Sequence, residues 1–310
     1  MFVKTAMARN KRRTVKDKEK LKKIRKEARK RWRQKKSAEK AMKKLAEEKK
    51  HNEDKERRKF KEINPSLVVR TTNFLGAGTF GSCYLAFYRD MVVAVKEFKK
   101  RKNVDLAHLR SEVRHEATMI KHLKDHRGVP LLFGIITKSE PIRLVTKFHG
   151  NKNKGLTLHK AIKKETLEKP TWLEILKKLI EALNHIHSCG ILHNDVKSNN
   201  VVMEQRGEEW NPVIIDFGKA RFSSDPKPAM SLSTHQQEKY REQYPHIASE
   251  IVNGSGRQSA QSDIFSLGKI VLAVLDLLPT ATARSLKVAR TALCEEPAKR
   301  PSLKELSEAL

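Results

Sequence analysis

Apolar positions are spread unevenly along the 310-residue chain. From Lys4 to about Lys61 there is neither Gly nor Pro, and most residues are good helix formers, so the pattern predicts a long helix. Its apolar seam is thin: Leu21, Ile24 and Ala28 set up a three-four spacing, Arg31 and Lys35 interrupt it, and Ala38, Met42 and Leu45 resume it. That is too broken for a coiled coil. A solvated charged helix, a partly disordered arm and a polyanion-contacting segment all remain open. Asn64 and Pro65 end this stretch, and short β-branched and aromatic runs follow at Leu67–Val69, Cys83–Tyr88 and Met91–Phe98. A helix is expected over Asn103–Leu123, then strands near Leu131–Ile136 and Ile142–Phe148, and mainly helices beyond Leu156. Strands, one helix, strands and a helical body together predict an α+β fold.

Composition adds a division. Residues 1–62 hold 28 Lys/Arg against 10 Asp/Glu, a net of +18 out of +30 for the chain. Such an excess favours acidic or phosphate-rich partners without dictating fold. The expected domains are therefore a basic extension, 1–63, and a folded domain, 64–310. An apolar content of 38% suffices for a core in the latter. Cys83, Cys189 and Cys294 are scattered, odd in number and without metal-ligand spacing, which suits a reducing compartment. The first residues carry Lys and Arg with no apolar signal region. The longest apolar run, Ile270–Leu278, is broken by Asp276 and too short to span a membrane. An intracellular protein, cytoplasmic and/or nuclear, is expected, with no transmembrane segment. A mitochondrial presequence is the alternative, since no acid precedes Asp17, although the segment is Lys-rich and Ser-poor.

Gly76-Ala77-Gly78-Thr79-Phe80-Gly81 is a glycine-rich loop in which missing side chains let backbone N–H groups approach phosphate oxygens. In a dinucleotide-binding fold a helix would begin inside it. Here strand-like residues continue to Tyr88 and return, after Arg89-Asp90, as Met91–Lys96, which predicts a hairpin covering phosphates. Lys96 is the one ionisable residue ending that apolar run. Taken alone it reads as a solvent-facing strand end. Followed by a helix that carries Glu116 near its core-facing edge, it becomes a candidate phosphate cation held by a carboxylate, with Glu112 as the competing partner.

Residues 193–200 read His-Asn-Asp-Val-Lys-Ser-Asn-Asn, and Asp216-Phe217-Gly218 follows the apolar run Val213–Ile215. With the glycine loop and Lys96, these motifs resemble the eukaryotic protein kinase family, serine/threonine type, in order and approximate spacing over about residues 67–309. The resemblance implies a two-lobed fold, with a small mainly β N-lobe at about 64–148 and a larger helical C-lobe at about 149–310. It implies ATP and Mg2+, with Mn2+ as an alternative metal, and protein substrates. Phosphoryl transfer asks mainly for positioning and charge neutralisation. By resemblance, Asp195 orients the substrate hydroxyl, Lys197 steadies the transferring phosphate, and Asn200 and Asp216 hold the metal. Gly76, Gly78, Gly81, Cys83, Ala94, Lys96, Thr146 and Val202 form the nucleotide site, Thr146 as gatekeeper and Ala94 and Val202 as roof and floor. Lys197, two residues after Asp195, resembles the serine/threonine form of the loop. Glu250 in Ala248-Ser249-Glu250 and Arg300 match a family ion pair, and Asp263 matches the anchor of the catalytic loop.

Departures from the pattern bear on regulation and specificity. Asn194 stands where relatives carry an arginine that an activation-segment phosphate neutralises, Ser249 replaces a proline, and Gln243 is expected where a threonine is usual. The helix following the central one is expected to be reduced. Three functions are carried forward: an active serine/threonine kinase, a kinase-like scaffold without strong catalysis, and a polyanion-binding protein acting weakly through residues 1–62.

Overall fold

A two-residue turn starts the sheet. Arg89 and Asp90 take φ of 50° and 64°, the mirror-image turn whose twist suits a hairpin, and join β2 (Gly81–Tyr88) to β3 (Met91–Phe98). With β1 (Val68–Gly78), β4 (Leu132–Ile136) and β5 (Arg143–Lys147) they form an antiparallel sheet of order β1-β2-β3-β5-β4. The computed structural model describes Lys36 and residues 60–78, 81–100, 104–151, 154–164, 167–229, 231–279 and 281–310. Of the basic extension expected at 1–63, with its polyanion role, only Lys36 and residues 60–63 fall among the described residues.

The compact unit runs Phe60–Leu310, so it begins before the boundary expected at Asn64. The reason is hydrogen bonding along β4. Ile63 N–H donates to Ile135 O at 2.8 Å, and Ile135 N–H donates to Lys61 O at 3.0 Å. Glu62 accepts the backbone N–H of Thr137 at 2.6 Å and of Lys138 at 3.0 Å.

Side-chain alternation sets the two faces of the sheet. Val93 and Val95 are fully buried with Ile63, Tyr84, Ala86, Ile136 and Val145. Ala94 and Lys96 therefore face the other way. Helix α1 (Leu106–His122) begins at Asp105, whose side chain accepts His108 N–H at 2.7 Å, an N-cap typically worth about 1 kcal/mol. Its buried stripe is Leu109, Val113, Glu116, Ala117, Met119 and Ile120. One carboxylate therefore sits among apolar neighbours.

The C-terminal part is mainly helical: α2 (Leu158–Lys164), α3 (Lys169–Ser188), α4 (Thr234–Gln243), α5 (Ser249–Val252), α6 (Ala260–Leu275), α7 (Ala283–Thr291) and α8 (Leu303–Glu308). Short antiparallel pairs interrupt it, β6 (Ile191–Leu192) with β9 (Arg221–Phe222) and β7 (Val201–Arg206) with β8 (Glu209–Ile214). Trp172, Ile175, Leu176, Leu179, Leu183 and Ile186 on α3 are buried, each typically contributing about 1.5–3 kcal/mol. Helix α6 is apolar on nearly every side and runs through the interior. A nine-residue α7 packs on it with Ser285 and Ala289 buried. The architecture is the expected α+β one: a mainly β lobe with one helix, then a helical lobe.

Candidate active site

Strand register brings the upper half of the site together. Cys83 pairs with Lys96 across β2 and β3, and Ala94 pairs with Thr146 across β3 and β5. Directly opposed residues share a face, so Cys83, Ala94, Lys96 and Thr146 point to the same side, opposite Val93 and Val95. Burial pushes the Cys83 thiol up to about 11, so it is an apolar lining group and not a thiolate. The glycine loop closes this face where Gly76 pairs with Cys83 and Gly78 with Gly81. A Cβ on Gly81 would lie 2.0 Å from Glu97 O, so only glycine fits there. Around Gly76 and Gly78 the corresponding space is open, which leaves room for a ligand against bare backbone. Thr79 and Phe80 lie outside the described residues.

Lys96 ties the sheet to two carboxylates. Its Nζ is 2.8 and 3.0 Å from the oxygens of Glu116 and 2.7 Å from Asp216 Oδ1. Glu112, the competing partner, instead pairs with His108 at 3.3 Å one turn earlier. Burial opposes the Lys96 charge, but Glu116 and Asp216 outweigh it and raise the ammonium above the ordinary lysine value. Lys96 in turn outweighs burial at Asp216 and holds that carboxyl below its usual range. Asp216 has φ 67° and ψ 73°, a left-handed conformation for a non-glycine residue just before the turn Phe217–Lys219. Phe217 behind it is fully buried, with its ring 4.8 Å from that of His193.

The loop carrying Asp195 is held from below by the central helix. Asp263 on α6, 1% exposed, accepts the backbone N–H groups of His193 and Asn194 at 2.8 Å each and lies 3.0 Å from His187 Nε2. Asp195 is itself ringed by donors. Lys197 Nζ and Asn200 Nδ2 reach Oδ2 at 2.9 and 3.1 Å, while Lys219 Nζ and His246 Nε2 lie 3.0 Å from Oδ1. Burial works against the charge, but His246, Lys219 and Lys197 prevail and hold this carboxyl well below the usual carboxylate range. Val202, the expected floor, is half-buried on β7 opposite Val213. The expected ion pair is bidentate, with Arg300 Nη1 and Nη2 at 2.8 and 2.6 Å from the Glu250 oxygens.

Two contacts were not anticipated from sequence. Gln243, at the position where a threonine is usual in relatives, is exposed at the end of α4, and His246 faces Asp195. Lys219, next after the Asp-Phe-Gly motif, reaches the same oxygen. No local pattern marks either one, because their roles depend on chain folding across 51 and 24 positions. Nδ2 of Asn200 is committed to Asp195, so the amide oxygen is the atom Asn200 can offer a metal. Asp216 adds carboxylate oxygen. Among the described residues no cluster of three or more His, Cys, Asp or Glu could hold a metal. Two hard oxygen donors suit magnesium, which commonly completes its shell with water and substrate phosphates.

Among the described residues no helix is long and apolar enough to cross a membrane. The chain is 27% identical over 224 residues to an inactive leucine-rich repeat receptor-like serine/threonine-protein kinase of Arabidopsis thaliana, covering 71% of this chain and 33% of the relative. It is 29% identical over 206 residues to interleukin-1 receptor-associated kinase 1 of Bos taurus, covering 65% and 28%. It is 29% identical over 209 residues to the mitogen-activated protein kinase HOG1 of Eremothecium gossypii, covering 67% and 42%. It thus spans less than half the length of each. The protein kinase domain family matches residues 69–309, more than three quarters of the chain. On that match, and on a fold of mainly β and mainly helical lobes, the chain belongs to the protein kinase family.

Proposed function

We propose that this protein is an active serine/threonine kinase that transfers the γ-phosphate of ATP to protein hydroxyls. The observation that carries this reading is the bridge from Lys96 to Glu116 and Asp216, which sets one half-buried cation between a sheet, a helix and a motif of the other lobe. Such a cation, fixed by two carboxylates, suits the α- and β-phosphates. Backbone at Gly76, Gly78 and Gly81 covers the phosphates, and Cys83, Ala94, Thr146 and Val202 enclose the adenine. Asn200 and Asp216 would hold magnesium, which when bound neutralises charge on the phosphate oxygens. Asp195 accepts the proton of the substrate hydroxyl as its oxygen bonds to the γ-phosphorus and the bond from that phosphorus to the β,γ-bridging oxygen breaks, with ADP as the leaving group, and Lys197 steadies the transferring phosphoryl group. The serine/threonine assignment is supported by Lys197 and by the names of the relatives.

One of those relatives is inactive by name. The active reading is favoured here because Lys96, Glu116, Asp195, Asn200 and Asp216 all retain chemically competent side chains. The three cysteines, free in the structure, suit a reducing, intracellular setting, cytoplasmic and/or nuclear. Weak polyanion binding by residues 1–62 remains a subsidiary proposal supported by charge alone.

The test is incubation with ATP labelled on the γ-phosphate, generic protein substrates, and phosphosite mapping, with Asp216→Ala beside wild type. Label on Ser and Thr that disappears in the variant is expected. Absence of label with wild type, or equal label with both, contradicts the proposal.

A further inference from the structure

The four donors around Asp195 are more than a resting carboxylate needs. Two donors on each oxygen occupy the roughly four lone-pair sites of the group. A hydroxyl about to give its proton to Asp195 must come within about 2.6–3.2 Å. One donor therefore has to leave. Lys197 and Asn200 belong to the phosphate and metal roles proposed above. His246 has a side chain only 12% exposed, and its backbone carbonyl accepts the Ser266 hydroxyl at 2.6 Å. Lys219 is different: its side chain is 33% exposed, and it sits on a flexible four-carbon stem. In this same position its ammonium lies 5.8 Å from the centre of the Tyr244 ring.

We propose that Lys219 is a specificity-determining residue that covers Asp195 until a substrate with an Asp or Glu side chain beside its acceptor hydroxyl draws the ammonium away. The protein substrates selected are then Ser/Thr sites flanked by acidic residues. The argument is one of exchange. Before a neutral peptide, Lys219 gives up a carboxylate partner and gains none. Before an acidic peptide, the incoming carboxylate replaces the one released, a few ångströms away. The surroundings reinforce this. Burial, with the charges of Arg221 and Lys219, holds the Lys227 ammonium below the ordinary lysine range, so Lys219 has Arg221 and Lys227 as cationic neighbours. An anion there relieves their repulsion.

This inference rests on the kinase reading, and the experiment separates the two. The full chain is assayed on a peptide whose single Ser lies between alanines and on otherwise identical peptides with Asp, Glu, Lys or Arg on either side. Wild type is expected to favour acidic peptides by about fivefold in kcat/KM, the upper range for a solvent-accessible ion pair, with the preference shrinking at high salt. Lys219→Met should erase the preference by raising the rate on the neutral peptide. Lys219→Glu should reverse it toward Lys and Arg. A residue with a merely structural role would lower all peptides alike. If the variants fail to fold, the wild-type peptide ratio and its salt dependence still decide. Phosphotransfer without acidic preference, or a preference that survives Lys219→Met, overturns this inference alone. No phosphotransfer to any peptide or protein overturns the kinase reading and this inference with it.

Discussion

Lys96 Nζ lies 2.8 and 3.0 Å from the two carboxylate oxygens of Glu116, which is only 2% exposed. The lysine is fixed by strand register and the glutamate by the apolar stripe of α1, so each holds the other where phosphates would bind. Lys96→Met and Glu116→Gln are each expected to reduce phosphotransfer, by about 10²-fold if the cation moves by an ångström. The double variant should be no worse than Lys96→Met, because residues acting as one unit are not additive. Losses that multiply in initial-rate assays would separate the two residues.

Residues 60–63 are expected to matter to stability, whereas the chain before them can be removed. Ile63 is 2% exposed, and Glu62 accepts two backbone N–H groups and the Thr137 hydroxyl. A chain starting at Phe60 should unfold with the same denaturant midpoint as the full chain. One starting at Asn64 should lose on the order of 3 kcal/mol, from one buried isoleucine and the two buried N–H groups, of Ile135 and Thr137, left without partners. Equal midpoints for the two truncations would show that this edge contact contributes nothing.

The segment after Thr146 is pinned to β7 through Glu204, whose oxygens lie 3.0 Å from Lys147 Nζ, 3.4 Å from His149 Nδ1 and 2.9 Å from Arg206 Nη2. Against the effect of burial, His149, Lys147 and Arg206 hold the Glu204 carboxyl far below its ordinary value. A depressed folded-state value stabilises above the unfolded value and is lost as pH falls. Glu204→Gln should therefore cost stability at pH 7, with the gap to wild type closing as pH drops below about 4.3. Denaturant titrations from pH 7 to pH 3 check this. A gap that is flat or widens toward acid would contradict it. On the proposed nucleotide site, the same variant should raise the KM for ATP with little change in kcat, since it loosens the segment after Thr146.

Asn194 carries no charge for an activation-segment phosphate to neutralise. Its Nδ2 donates instead to Lys219 O at 3.2 Å and Leu192 O at 3.4 Å, with φ at 63°. The kinase is therefore expected to work without phosphate on residues 216–250, although Ser223, Ser224, Ser231, Ser233, Thr234, Tyr240 and Tyr244 are available there. Of the cations that could replace the missing arginine, Lys219, Arg221 and Arg241, the first and last are engaged with Asp195 and Asn253. Protein treated with phosphatase, verified by mass spectrometry, should keep its initial rate within about twofold on an exogenous peptide. A large drop that rephosphorylation restores would show that another cation, such as Arg221, reads the phosphate.

The sequence was most legible where chemistry and periodicity coincide. Lys96 stood out as the one ionisable residue ending the apolar run from Met91, and the motifs that the family resemblance assigns to catalysis and metal stood in order along the chain. Helical spacing alone left Glu112 and Glu116 open, one turn apart, and packing of α1 distinguishes them. Strand β1 runs much further than Leu67–Val69 suggested, because Arg70, Thr71, Thr72 and Asn73 lie on an exposed edge where no apolar alternation is required. Glu62 looked like part of the charged arm, yet its carboxylate is spent on backbone N–H groups. His246 and Lys219 acquire meaning only once the fold places them on Asp195.

The most direct test of the central claim is Asp195→Asn in the full chain, with ATP affinity and phosphotransfer measured on the same preparation. Asparagine keeps the size of the side chain but cannot take up the hydroxyl proton. Phosphotransfer is expected to fall by about 10²-fold or more, the contribution typical of a positioned base, while the Kd for ATP stays within a few-fold of wild type. Turnover close to wild type in that variant would remove Asp195 from the reaction and contradict the account.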